Sequence, residues 1–114
     1  IMKKVLGELH PDYATSLNNI GMTYDSKGDY EKALEYYLKS LEIMKKVLGE
    51  LHPAYATSLN NIGSTYDNKG DYEKALEYYL KSLEIRKKVL GELHPDYSAS
   101  LNNIEAFIKM KKNN

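Results

Sequence analysis

The chain contains no cysteine, which excludes disulfides and thiolate metal sites and leaves the redox compartment open. It carries no net charge, because 16 basic side chains balance 16 acidic ones. A neutral chain offers no electrostatic footprint for nucleic acid or an anionic membrane. Long apolar runs are missing too: nothing reaches the length of a membrane span, and no signal-peptide pattern opens the sequence. These absences predict a soluble, cytoplasmic protein whose partners are neither nucleic acid nor membrane. Charged residues make up 28% of the chain and hydrophobic ones 42%, ordinary values that argue against disorder. Ile1 is not an initiator residue, so the 114 residues are expected to belong to a longer chain.

What is present is repetition. Ile1–Glu42 recurs as Ile43–Glu84 with three changes: Asp12 to Ala54, Met22 to Ser64 and Ser26 to Asn68. A third copy starts at Ile85 and departs after Ile104. A fixed period of this length marks a solenoid, in which each unit buries its apolar face by stacking on its neighbours.

Each unit holds two helical patterns. In the first, Tyr13, Leu17, Ile20, Gly21 and Tyr24 form one stripe of a 3.6-residue helix. Pro11 suits its first turn and Gly28 its end; Asp29 is the expected N-cap of the next helix, with Glu31 in the first turn. The second pattern runs from Tyr30 to Leu48 through Ala33, Leu34, Tyr37, Leu38, Leu41, Met44 and Val47, and Gly49 stops it. Glu35–Lys39 and Glu42–Lys46 have favourable i,i+4 order. The expected array is therefore the end of a preceding second-type helix at 1–10, repeats at 11–52 and 53–94, and a terminal first-type helix or cap at 95–114. That gives five helices after an opening stub.

Leu17, Ile20, Gly21, Tyr24, Gly28, Tyr30, Ala33 and Tyr37 stand at the spacing of the tetratricopeptide repeat, with Gly21 and Ala33 as the small pair that lets two helices approach closely. The chain resembles that family throughout, and is similar to its 42-residue subclass found in kinesin light chains and nephrocystin-like proteins. Leu17 stands where a tryptophan is usual, and Ser40 where the later small residue falls. The resemblance implies an all-α fold, an α-solenoid of stacked antiparallel helix pairs wound into a superhelix. It also implies a non-catalytic scaffold that binds an extended peptide or protein partner along the concave surface of its first helices, with no cofactor.

At 100° per residue, Thr15, Asn19, Met22 and Ser26 point away from the stripe, flanked by Asn18 and Asp25. The second copy offers Thr57, Asn60, Asn61, Ser64, Asp67 and Asn68, and the third Asn102 and Asn103. The Asn pairs are the sharpest peptide-binding candidates, because an amide donates to and accepts from a backbone at once. The alternative is that one Asn of each pair bridges neighbouring first helices. The family's carboxylate clamp of Lys and Arg has no counterpart here; Asp25 and Asp67 suit a neutral or basic partner.

Three histidines, His10, His52 and His94, precede the prolines one period apart, too distant to share a metal, so a capping or turn role is expected. Of the eleven tyrosines, Tyr24, Tyr30 and Tyr37 are assigned to the core and Tyr36 and Tyr78 to the rim or the junction between repeats. No nucleophile elbow, phosphate loop, catalytic carboxylate pair or metal spacing occurs, so no enzyme is expected. In the third copy Glu105 replaces the packing glycine, and the Lys109, Lys111, Lys112 run is expected to be a solvated helix end. Leu101, Ile104, Phe107 and Ile108 are expected to leave an apolar face for self-association, by end-to-end stacking or helix exchange into a homo-oligomer. The competing reading is thus a structural or consensus-type repeat array that interacts mainly with itself.

Overall fold

A computed structural model describes residues 10–112; the stub expected at residues 1–10 lies outside them except for His10. The described chain forms five helices: α1 (Pro11–Ser26), α2 (Tyr30–Val47), α3 (Pro53–Lys69), α4 (Tyr72–Leu90) and α5 (Pro95–Lys112). There is no strand among the described residues. Each helix packs chiefly on its neighbours in sequence, α1 on α2, α2 on α3, α3 on α4 and α4 on α5. The chain is an all-α solenoid of helix pairs.

Local chemistry sets the helix boundaries. The α3–α4 turn is built by Gly70, at φ +96°, whose N–H donates to the Asp67 carbonyl at 3.0 Å while the Asp71 N–H reaches the Tyr66 carbonyl at 2.9 Å. This glycine-dependent ending frees Asp71 to cap α4, its carboxylate accepting from the Lys74 N–H at 3.2 Å. The first-type helices start differently. The Nδ1 atoms of His10, His52 and His94 each accept a backbone N–H two residues on, at 3.0 Å, from Asp12, Ala54 and Asp96 respectively. The recurrent histidines stand at the N-terminal boundaries, where backbone donors lack helical partners.

Within a pair, close approach depends on one position. A Cβ added at Gly63 would lie 2.8 Å from the Tyr79 ring and 3.1 Å from the Ala75 carbonyl oxygen; Gly21 meets Tyr37 and Ala33 in the same way. A buried hydroxyl then ties the two helices. Ser40 donates to the Ala14 carbonyl at 2.7 Å, and Ser82 to that of Ala56 at 2.8 Å. Ser82→Ala keeps the small volume but leaves that tie unmade; the expected loss is about 1 kcal/mol, read from denaturant midpoints.

Between pairs, Ile62 on α3 inserts against Ala33, Leu34 and Tyr37 of α2 and is fully buried. Tyr55 and Leu59 close over Met44 and Ala14. The predicted stripes were too broad: Leu38 and Val47 are exposed, as is Ile20, because helical spacing marks a face without saying which part of it meets a neighbour. Tyr36 stacks on Tyr24 at 5.7 Å and Tyr78 on Tyr66 at 5.6 Å, so each rim tyrosine is paired within its own helix hairpin.

Candidate functional site

The first-type helices α1, α3 and α5 are linked side by side through carboxylates rather than amides. Asp25 on α1 accepts, on a single oxygen, the Thr65 hydroxyl of α3 at 3.0 Å and the Tyr37 hydroxyl of α2 at 3.4 Å. One repeat later Asp67 receives the Lys111 ammonium of α5 at 3.3 Å. Bridging between first helices, the alternative role considered for one Asn of each pair, falls to Asp25 and Asp67. Their carboxylates, about two turns beyond the amides, reach the next helix.

Two openings lie between these helices. The first, about 210 Å³, is lined by Met22, Asp25, Ser26, Tyr37, Asn61 and Ser64. The second, about 170 Å³, is lined by Asn60, Tyr79, Ser100, Asn103, Ile104 and Phe107. Seven of the predicted residues line the two openings: Met22, Asp25, Ser26, Asn61 and Ser64 the first, Asn60 and Asn103 the second. Thr57 lines a separate recess with Pro53, Ile85, Arg86 and Asp96. Thr15 turns its hydroxyl back to the Pro11 carbonyl at 3.2 Å. Asn18 sets its amide against the Met22 sulfur at 3.7 Å, while Asn19 and Asn102 are exposed. Among the described residues, no side-chain hydrogen bond occupies the amides of Asn19, Asn60, Asn61, Asn102 or Asn103.

Tyr37 and Thr65 were missed as part of this face. Tyr37 sits at a core position, yet it lines the first opening, with its hydroxyl on Asp25. Thr65 is fully buried although Thr23, its counterpart, is exposed. The replacement of this position by Phe107 in the third copy was the available signal. Burial and the adjacent Asp25 carboxylate push the Tyr37 phenol up to about 12. The neutral phenol is therefore favoured by folding. Its contribution to stability is complete below pH 10, the unfolded value, and is expected to fall as pH rises through 10 toward 12. Tyr37→Phe should lessen the alkaline loss in urea titrations, leaving the part due to Tyr55, Tyr78 and Tyr79, whose phenols burial also pushes up.

The α5 end departs from expectation in two ways. Lys111 is not a solvated end: its ammonium lies 4.1 Å from the Tyr72 ring centroid and 5.4 Å from that of Phe107, besides pairing with Asp67. Of the four residues assigned to an open apolar face, Ile104 is only 5% exposed and Phe107 packs edge-on against Tyr79 at 5.3 Å. The α4 helix covers both in the same chain. Leu101 is half-buried and Ile108 exposed. A further α4–α5 tie runs from Arg86 to the Ser100 hydroxyl, where the preceding junction has Ser58 donating to the Met44 sulfur at 3.3 Å.

The sequence matches the profile of the tetratricopeptide repeat over residues 1–46, 26–88 and 68–105. The chain belongs to the tetratricopeptide repeat family. Repeats of this family generally mediate protein–protein interaction and are typically non-catalytic. Among solved structures, the TPR array is similar to BtubC (BKLC) from P. vanneervenii, with a TM-score of 0.84 and 28% identity over 95% of this chain and 43% of that one. It is also similar to a Podosopora anserina protein described as a kinesin light chain with nearly identical TPR-like repeats, with a TM-score of 0.74 and 23% identity over 91% of this chain and 49% of that one. The chain thus spans less than half the length of either. No curated protein sequence matches it significantly. Among the described residues no helix is long and apolar enough to cross a membrane, and no three side chains are grouped to hold a metal ion.

Proposed function

We propose that this TPR array is a non-catalytic interaction scaffold that binds an extended polypeptide segment along the face formed by α1, α3 and α5. The observation that carries this reading is the unspent hydrogen-bonding capacity of its amides. Asn61 borders the opening between α1 and α3, and Asn60 and Asn103 border the one between α3 and α5. A primary amide can donate to a peptide carbonyl and accept from a peptide N–H together, and so engages an extended chain through its backbone. Amides recurring at one-repeat spacing offer this contact more than once along one segment.

Selection from short random peptides displayed on phage supplies the probe. Asn61→Ala is expected to weaken binding of the selected peptides by about tenfold, the size of one or two lost hydrogen bonds, with circular dichroism unchanged. Equal affinity for the variant and the parent would remove Asn61 from the site.

A further inference from the structure

The two carboxylates that link the first-type helices have the same place in the repeat but different company. Asp67 holds an ammonium: Lys111 reaches it at 3.3 Å, with the Tyr72 ring beneath the charge at 4.1 Å. The Lys111 side chain is 22% exposed, so it fills this place rather than skirting it. In the preceding repeat the residue in register with Lys111 is Lys69, and it turns away to Glu31, at 3.0 Å. Asp25 uses one oxygen for the Thr65 and Tyr37 hydroxyls, and no cation among the described residues pairs with it. That carboxylate lies on the wall of the 210 Å³ opening beside Met22 and Asn61.

We infer that Asp25 receives a lysine or arginine side chain of the bound segment, in the manner in which Asp67 receives Lys111. This rests on the reading of the α1–α3–α5 face as a peptide track and adds a sequence preference to it. The chemistry is consistent at each atom. The Thr65 and Tyr37 hydroxyls donate to one carboxylate oxygen, which fixes the group in orientation and leaves the other oxygen for a cationic donor. Met22, half exposed on the same wall, offers its flexible thioether to the aliphatic stem of such a side chain. The Asn61 amide, one helix across, is placed for the adjoining peptide unit. A carboxylate already oriented by neighbouring hydroxyls loses little freedom when the cation arrives, which favours binding.

Peptides selected on the parent protein provide the test. They are expected to share a Lys or Arg at one fixed position, and replacing it by norleucine should weaken binding by about tenfold. Asp25→Asn retains an oxygen to accept from Thr65 and Tyr37. On this variant the lysine and norleucine peptides are expected to bind alike. Peptides that lose affinity with Asn61→Ala yet show no basic preference, or keep it fully on Asp25→Asn, would overturn this inference and leave the peptide track standing. Failure to select any peptide would remove the track and the inference with it. A second variant probes the internal parallel: Lys111→Met opens Asp67, and titration of the lysine peptide is then expected to reveal an added site that Asp67→Asn abolishes. Unchanged stoichiometry would count against the parallel.

Discussion

Ile62→Ala is expected to lower the unfolding free energy by about 3 kcal/mol, while Ile20→Ala, the same change at the same place in the repeat, costs less than about 1 kcal/mol. The local sequences are nearly identical, so intrinsic helix propensity cancels between the two variants. What differs is the neighbour. Ile62 is fully buried against Ala33, Leu34 and Tyr37 of the preceding second-type helix, and its truncation opens a cavity there. In the 114-residue chain Ile20 is 41% exposed, so alanine there removes fewer contacts. Urea midpoints of the two variants settle the point. Equal losses would mean that stability resides within each helix pair rather than at the junctions between pairs.

The second large effect is expected at Gly63→Ala, a net loss of about 2 kcal/mol. Alanine returns about 1 kcal/mol of helix propensity. Against this, its Cβ enters at 2.8 Å from the Tyr79 ring and 3.1 Å from the Ala75 carbonyl oxygen. The ring can shift by small amounts, but the carbonyl belongs to the backbone of α4, so the cost falls at the upper end of the overpacking range of about 1–3 kcal/mol. Glu105→Ala, at the corresponding position of α5, is expected to be neutral within about 0.5 kcal/mol because Glu105 is exposed. A thermal shift of similar size in both variants would contradict the close-approach account.

Much of this fold was legible in the sequence, for identifiable reasons. The helix boundaries followed from residues with strong local preferences: Pro at the first turn, Asp at the cap, Gly beyond the end. The small pair Gly21 and Ala33 marked the close crossing. Side-chain destinations were less legible wherever a second repeat decides them. Ile20 and Ile62 share a pattern but not a burial. Asp25 and Asp67 read as outward groups, and only the stacking of one helix pair on the next brings Thr65 and Lys111 to them. Lys111 read as part of a basic tail, because an ammonium held between Asp67 and Tyr72 depends on residues some forty positions earlier. Of the candidate face, the Asn residues lining the openings were visible from helical phase alone, whereas Tyr37, which lines the first opening from a core position, and Thr65, buried behind Asp25, were not.

The placement of a partner on the α1–α3–α5 face is tested most directly by crosslinking. A photoreactive residue is installed separately at Ser64, beside the opening between α1 and α3, and at Lys81, which lines a recess with Lys45, Glu50 and Ile85 away from both openings. The selected peptide is irradiated with each protein. The account predicts crosslinked product from position 64 and none from position 81. Product from position 81 alone would place the partner on the other surface and contradict it.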